Sequence, residues 1–348
     1  MKTEKYIPKG SIIESSLRYA YKNSIPIIST IEVTQDCNFS CTHCYNFDRT
    51  KINKVPNRSD AMSPARILSL IDELNQAGTL FLNLSGGEAL ATPHIFEYIK
   101  KASSLNMEVR LKTNASLLDQ SIIEKLIQAG LKGMDISLYG ASEEAYQKLT
   151  GTQGSFAKVL GNISSLKKTK LDTHISIILN RDNFIELESM IEICNEHQFL
   201  YQVSTEITER YDNSTGSRDL EITDEQFKVL AQKENFETNG VGNFQCSCAR
   251  SVCGINFAGD LYPCIGAPIF AGNVKDRNFN DLWKNSDVLN GIRDLKPTDF
   301  KECISCNYQE SCNRSSGSVF INTGNYTGCD ETVLRQAKIT HSLKSKDS

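Results

Sequence analysis

The sequence predicts an α/β fold: a partial, TIM-like (β/α)6 barrel followed by a small cysteine-rich domain. Three observations predict it. Short β-type runs alternate with amphipathic helical stretches through the first two-thirds of the 348 residues, and such alternation calls for parallel strands joined by helical crossovers. Six β/α units can be counted, too few for a closed eight-fold barrel. After about Asn239 the texture changes, with crowded cysteines and more glycines. An open doubly wound sheet also fits the alternation, which by itself does not separate the two architectures.

The candidate strands are Ile27–Val33, Leu80–Ser85, Glu108–Thr113, Met134–Leu138, His174–Leu179 and Tyr201–Ile207. Ser63 before Pro64 places an N-cap ahead of a proline at the first helical position, opening a helix towards Ala77 that Gly78 stops. Thr92–Pro93 repeats the device for the next helix, and Gly130 closes the one after. Thr223 with Gln226 makes a capping box, starting a helix that leaves the repeat. Val252–Cys264 reads as a hairpin turning at Ala258–Gly259–Asp260, and one long helix is expected over Phe279–Leu295. The chain divides into an extension (1–26), the barrel (27–235) and the cysteine-rich domain (236–348).

A hydrophobic share of 39% and a charged share of 23% are those of an ordinary globular protein. The net charge of −4 gives no reason to expect a nucleic-acid groove. Arg49, Lys51, Lys54 and Arg58 form a short, interrupted basic stretch that reads as a solvated loop. Met1–Gly10 is followed by no apolar h-region, and no stretch approaches a membrane span, so a cytoplasmic protein with no membrane partner is expected. Disulfides are rare in that reducing compartment, so the 12 cysteines point to metal or redox chemistry.

Cys37, Cys41 and Cys44 form C-x3-C-x2-C directly after the first strand. Three thiolates on one short loop can hold three irons of a [4Fe–4S] cube, leaving the fourth iron open to a small molecule. A zinc site with His43 as fourth ligand is the alternative, though the spacing fits zinc patterns poorly. Leu84-Ser-Gly86-Gly87-Glu88 follows the second strand, Thr113-Asn114 the third and Ser137-Leu-Tyr-Gly140 the fourth. Asn180 and Asn183 follow the fifth. Every motif falls at the carboxyl end of a strand, where β/α barrels build their active sites.

The cysteine motif, with Tyr45 after its last thiol, resembles the signature of the radical S-adenosylmethionine (SAM) superfamily. The resemblance implies that Cys37, Cys41 and Cys44 hold a [4Fe–4S] cluster whose open iron chelates SAM. Reduction of the cluster would split SAM into methionine and a 5′-deoxyadenosyl radical. It further implies that Gly86, Gly87 and Glu88 meet the SAM amino group, that Asn114 and Ser137 meet its ribose or carboxylate, and that Asn180 and Asn183 lie near adenine. Ala115 stands where family members often have glycine. No arginine precedes Thr150–Gly151, a place where Lys148 could substitute.

Cys303, Cys306 and Cys312 form C-x2-C-x5-C, with Cys329 beyond, while Cys246, Gly259 and Cys264 give C-x12-G-x4-C. These, with Gly259-Asp-Leu-Tyr-Pro-Cys264, Gly272-Asn-Val and Leu282-Trp283, resemble the SPASM extension of radical SAM enzymes. The resemblance implies one or two auxiliary iron–sulfur clusters. Cys303, Cys306, Cys312 and Cys329 suit one site, for which a four-thiolate zinc is the alternative. Cys246, Cys248, Cys253 and Cys264 suit the other. The family pattern puts a further cysteine four residues after Cys312, where this chain has Ser316. Cys194 is left over as a core cysteine.

The resemblance implies a maturase that modifies a peptide or protein substrate, with flavodoxin or ferredoxin as electron donor. About 25 residues precede the first strand, too few for a leader-binding domain, so recognition falls to a separate leader-peptide-binding protein or to the barrel. The other readings are a decarboxylase or oxidase of a tetrapyrrole and a non-catalytic iron–sulfur carrier. Glu206 and Asp260 are placed plausibly for a catalytic base, but neither is assigned.

Overall fold

The computed structural model describes residues 11–51, 58–233, 236 and 246–345. Met1–Gly10, Lys54, the boundary at 235 and the change of texture at Asn239 lie outside the described residues. The chain runs α1 (Ile12–Asn23), β1 (Ile28–Glu32), α2 (Pro64–Gln76), β2 (Phe81–Ser85), α3 (Ile95–Ser104), β3 (Glu108–Thr113), α4 (Gln120–Ala129) and β4 (Gly133–Leu138). Next come α5 (Glu143–Thr150), α6 (Ser155–Leu166), β5 (Asp172–Ile178), α7 (Leu187–Glu196), β6 (Leu200–Ser204) and α8 (Asp224–Ala231). The cysteine-rich part holds β7 (Val252–Ile255), β8 (Leu261–Tyr262), α9 (Phe279–Asn285), α10 (Asp287–Asp294), α11 (Lys301–Ile304), α12 (Ser316–Thr323) and α13 (Glu331–Lys344).

The sheet order is β6-β5-β4-β3-β2-β1-β7-β8, and the first six strands are all parallel. A doubly wound sheet reverses its strand order at a switch point. Here the six strands follow sequence order without reversal, so successive right-handed crossovers lay the helices on one face. That is the partial barrel. Leu82, Leu84, Val109 and Leu111 on its strands and Leu70, Ile71 and Ile99 on its helices are fully buried in one core.

The hairpin turns at Gly259 (φ +89°), as its sequence predicts. Its first strand also pairs in parallel with β1, Ile28 against Val252 through Ile31 against Ile255. The cysteine-rich segment therefore begins as an extension of the barrel's own sheet.

Ser63 caps α2, Gly130 (φ +100°) ends α4, and Thr223 with Gln226 forms the reciprocal box that opens α8. Two expected elements differ. The helix after Thr92–Pro93 starts only at Ile95 with His94 at its cap, because Thr92 first makes a turn, accepting from His94 N and Ile95 N, both at 3.4 Å. The long helix over Phe279–Leu295 is broken at Ser286, which takes an extended conformation (ψ 121°) and donates to the Ala271 carbonyl at 2.9 Å. A serine that finds a backbone partner outside the helix leaves it readily.

Candidate active site

The carboxyl ends of the strands surround a cleft of about 400 Å³. Cys37, Cys41, Cys44 and Tyr45 line it from the loop after β1, Gly86 and Gly87 from the loop after β2, Asn114 from that after β3, and Ser137 and Tyr139 from β4 and its end. Ile265, Gly266 and Ser318 close it from the cysteine-rich part.

The cysteine loop is clamped from several sides. The carbonyls of Thr150 and Leu149, at the C-terminus of α5, accept from Ser40 N at 2.8 Å and Thr42 N at 3.0 Å. Arg210 donates to the Thr42 carbonyl at 2.8 Å. Arg49, expected in a solvated loop, instead turns inward. It donates from Nε to Cys44 Sγ at 3.1 Å and from its two terminal nitrogens to Gln35 O and Oε1 at 3.0 and 3.1 Å. Its neighbour Lys51 does stay exposed, paired with Asp48. Burial, and then the neighbouring thiols, push Cys41 well above the ordinary thiol range, and burial lifts Cys37 too. Free thiols so placed are poor nucleophiles, whereas coordination to a metal deprotonates a thiol outright. The donor set, with a guanidinium on one sulfur, fits an anionic iron–sulfur cluster.

Among the described residues no three His, Cys, Asp or Glu side chains converge on a single metal ion. His43 is kept neutral by burial, its pKa lowered to about 4, and its ring packs 5.1 Å from that of Tyr139.

The two glycines have a packing reason as well. Gly86 has φ +140°, and a Cβ there would stand 2.1 Å from the Thr34 carbonyl oxygen. A Cβ on Gly87 would stand 2.4 Å from the Asp36 carbonyl oxygen. Side-chain-free backbone lets the loop after β2 lie against the loop that carries Cys37. Glu88 stands behind the glycines, 1% exposed, and accepts from Thr113 Oγ1 at 2.7 Å, Asn114 N at 2.8 Å and Leu90 N at 3.0 Å. Its carboxylate ties the loops after β2 and β3 together.

Asn114 donates to Asn38 Oδ1 at 3.1 Å, joining that loop to the cysteine loop. Ala115, buried, holds φ +61°, which explains why glycine suits this position. Asn180 and Asn183 are buried in a self-bonded turn after β5, with Asn183 Nδ2 on the Tyr139 and Ile178 carbonyls. The turn underlies the cleft wall, which Ile178 itself lines. Lys148 is 63% exposed and paired with Asp182 at 3.1 Å. Cys194 is a buried core cysteine on α7, as expected.

Tyr45 donates to Glu32 Oε1 at 3.0 Å, and Gln35 donates to Glu32 Oε2 at 3.0 Å. Burial pushes this carboxyl up to about 7. Sequence reasoning missed Glu32, Arg49, Arg210 and Tyr211. A carboxylate at the end of β1, five residues before Cys37, was the available signal for Glu32.

In the cysteine-rich part, Cys248 Sγ lies 2.8 Å from Cys264 Sγ, and Cys246 Sγ lies 3.3 Å from Tyr326 Oη. Cys253 Sγ lies 3.1 Å from Ser29 Oγ on β1. The other group also comes together: burial, then the charges of Cys303 and Cys312, push the Cys329 thiol up to about 11. Ser316 accepts from Arg314 at 2.6 Å. Glu206 lies at the cleft wall, hydrogen-bonded to Ser318. Asp260 is taken up by Asn256 and Asn273 at the hairpin turn.

A sequence model of the radical SAM superfamily matches residues 31–194, and one of the SPASM iron–sulfur cluster-binding domain matches residues 246–307. The chain is 28% identical over 335 residues to the AdoMet-dependent heme synthase of Methanosarcina barkeri, covering 86% of this chain and 94% of that protein. It is 26% identical over 313 residues to the mycofactocin maturase of Mycobacterium ulcerans, covering 82% of each. Its fold matches Streptococcus suis SuiB bound to S-adenosylmethionine with a TM-score of 0.65 at 16% identity, over 94% of this chain and 84% of that one. The chain belongs to the radical SAM superfamily: it is a radical SAM enzyme with a C-terminal SPASM domain, and its cofactors are a [4Fe–4S] cluster with SAM and auxiliary iron–sulfur clusters.

Proposed function

We propose that the chain is a maturase that modifies a peptide or protein side chain. The observation that carries this reading is a second cavity of about 320 Å³ that shares Glu206, Ile207, Thr208 and Ser318 with the cleft. It runs out between the end of β6, α8 and α13. Its walls carry Glu206, Glu221 and Asp330, amide side chains of Asn313, Asn322 and Gln336, and, among the described residues, no lysine or arginine. A cavity that sets hydrogen-bonding groups beside Phe227, Leu230 and Val333 suits a peptide, whose backbone and side chains can use both. The heme-synthase relative motivates a second reading, a tetrapyrrole substrate, but the described lining offers its carboxylates no lysine or arginine, and Arg218 nearby is already paired with Glu221 and Asp330.

Cys37, Cys41 and Cys44 would hold the SAM cluster, with Arg49 donating to the Cys44 sulfur. The backbone of Gly86 and Gly87 and the side chains of Asn114 and Ser137 would orient SAM from the facing wall. Tyr45, fixed by Glu32, and Tyr211, whose hydroxyl reaches the Ile265 carbonyl, pack against each other 5.0 Å apart and shield the floor from water. When bound and reduced, the cluster and SAM supply a 5′-deoxyadenosyl radical for hydrogen abstraction. The electron comes from outside, from a flavodoxin- or ferredoxin-type donor, and a separate leader-binding protein would deliver the peptide.

The test is anaerobic turnover of the reconstituted protein with SAM, dithionite and a library of short peptides, beside a parallel reaction with a carboxylated tetrapyrrole. The proposal expects a mass change in a peptide, coupled to 5′-deoxyadenosine above the substrate-free rate. Conversion of the tetrapyrrole with every peptide unchanged would contradict it.

A further inference from the structure

Four thiols, Cys246, Cys248, Cys253 and Cys264, are available to the first auxiliary site, but the sheet divides them. Successive residues of a strand face opposite sides. A Cβ on Gly254 would stand 2.5 Å from Ile265 N and 2.9 Å from Cys264 C, so the Cys264 segment covers the face of β7 to which Gly254 belongs. Cys253 faces the other side. It is register-paired with Ser29, 3.1 Å from that hydroxyl, fully buried and part of the apolar core that includes Ile31 and Leu70. It feels the Cys264 charge, but from across the sheet. Cys248 and Cys264 touch at 2.8 Å, and Cys246 is hydrogen-bonded to Cys248.

The fourth place is occupied by Ser316, where the family pattern has cysteine. Ser316 opens α12, and the next residue, Gly317, lies so near the loop after Cys264 that a Cβ would stand 2.1 Å from the Gly266 carbonyl oxygen. Position 316 is thus beside the Cys264 segment, as a completing ligand would be. Its hydroxyl is engaged instead by Arg314, whose guanidinium also reaches the carbonyls of Gly328 and Tyr326 at 3.0 and 2.5 Å. Ile265, Gly266 and Ser318, on either side of this place, line the cleft.

We infer that the first auxiliary cluster is held by Cys246, Cys248 and Cys264, with Cys253 outside the ligand set, and keeps an open iron beside Ser316 for an anionic sulfur, oxygen or nitrogen donor of the substrate. Arg314 offers the positive charge such a donor needs. Binding is ligand addition with no change of oxidation state, and any proton on the donor leaves to solvent. That the donor belongs to the substrate rests on the maturase reading; the ligand set does not.

The experiment uses the full chain with Cys37, Cys41 and Cys44 changed to Ala, which removes the SAM cluster and its open iron. This protein is reconstituted, reduced, and read by iron count and electron paramagnetic resonance with and without cyanide as the probe. The inference expects about eight irons per chain, still about eight with added C253A, and about four with added C264A. Cyanide should change one of the two auxiliary signals, and added S316C, which supplies the missing thiol, should abolish that change. Loss of about four irons in C253A would overturn the ligand set. An absent cyanide response, or one that survives S316C, would overturn the open iron. C253A and S316C decide the matter even where C264A does not fold. No substrate enters the experiment, so its failure and the failure of the maturase reading are told apart.

Discussion

Arg49 and Glu32 bracket the cysteine loop with opposite effects. The Arg49 guanidinium stabilises negative charge on Cys44, and hydrogen bonds to cluster sulfurs raise the potential. R49Q should therefore make the SAM cluster harder to reduce, by roughly a factor of ten, or about 60 mV for a one-electron couple. A spectroscopic potentiometric titration measures this, with R49K recovering part of the shift. Glu32 carries a different signature. Its folded pKa is raised from 4.5 to about 7 by burial. The neutral form is favoured in the folded chain, so its contribution to stability is fully present below pH 4.5 and is lost as pH rises through about 7. E32Q should resist urea better than the natural chain at pH 8, by up to about 3 kcal/mol, and the gap should close at pH 4.5. A gap independent of pH would show that Glu32 does not titrate there. Cys37, Cys41 and Cys44 were legible in the sequence because their spacing is itself the chemistry. Arg49 and Glu32 were not, because whether a charged side chain turns inward depends on partners such as Gln35 and Tyr45 that folding supplies.

Loops meeting loops set the cleft's shape at the next scale up. G86A must move the Thr34 carbonyl, which a Cβ would approach to 2.1 Å. It should weaken SAM binding tenfold or more, measured by equilibrium binding, while circular dichroism stays that of the natural chain. At the start of α8, T223A removes half of a reciprocal cap and should cost about 1 kcal/mol in urea unfolding without changing SAM cleavage. Local signals of this kind were readable in advance: Ser63–Pro64, Gly130 and Thr223–Gln226 act as their chemistry says. Elements defined by distant contacts were not. Helix α1 begins where Ser11 accepts from Glu14 N at 3.1 Å, a helix start within a stretch read only as an extension. The break at Ser286 depends on the Ala271 carbonyl, and the pairing of β7 with β1 joins residues more than 200 positions apart.

Across the whole molecule, the sequential strand order gathers residues between 37 and 321 around one cleft. Convergence at the carboxyl ends was predictable from the motif positions alone, since every motif followed a strand. The second cavity was not, because α8, α12 and α13 approach β6 only in the folded chain. Glu206 stands where the two cavities meet. E206Q should therefore leave substrate-free SAM cleavage unchanged while altering the KM for a peptide. Every role assigned in the cleft depends on the three-cysteine loop holding a cluster that cleaves SAM. The most direct measurement is anaerobic: reconstitute the natural chain and C41A, add dithionite and SAM, and quantify 5′-deoxyadenosine. The natural chain should form it steadily and C41A should form none. An iron-loaded natural chain that forms none under strong reduction, or a C41A variant that forms it at the natural rate, would contradict it.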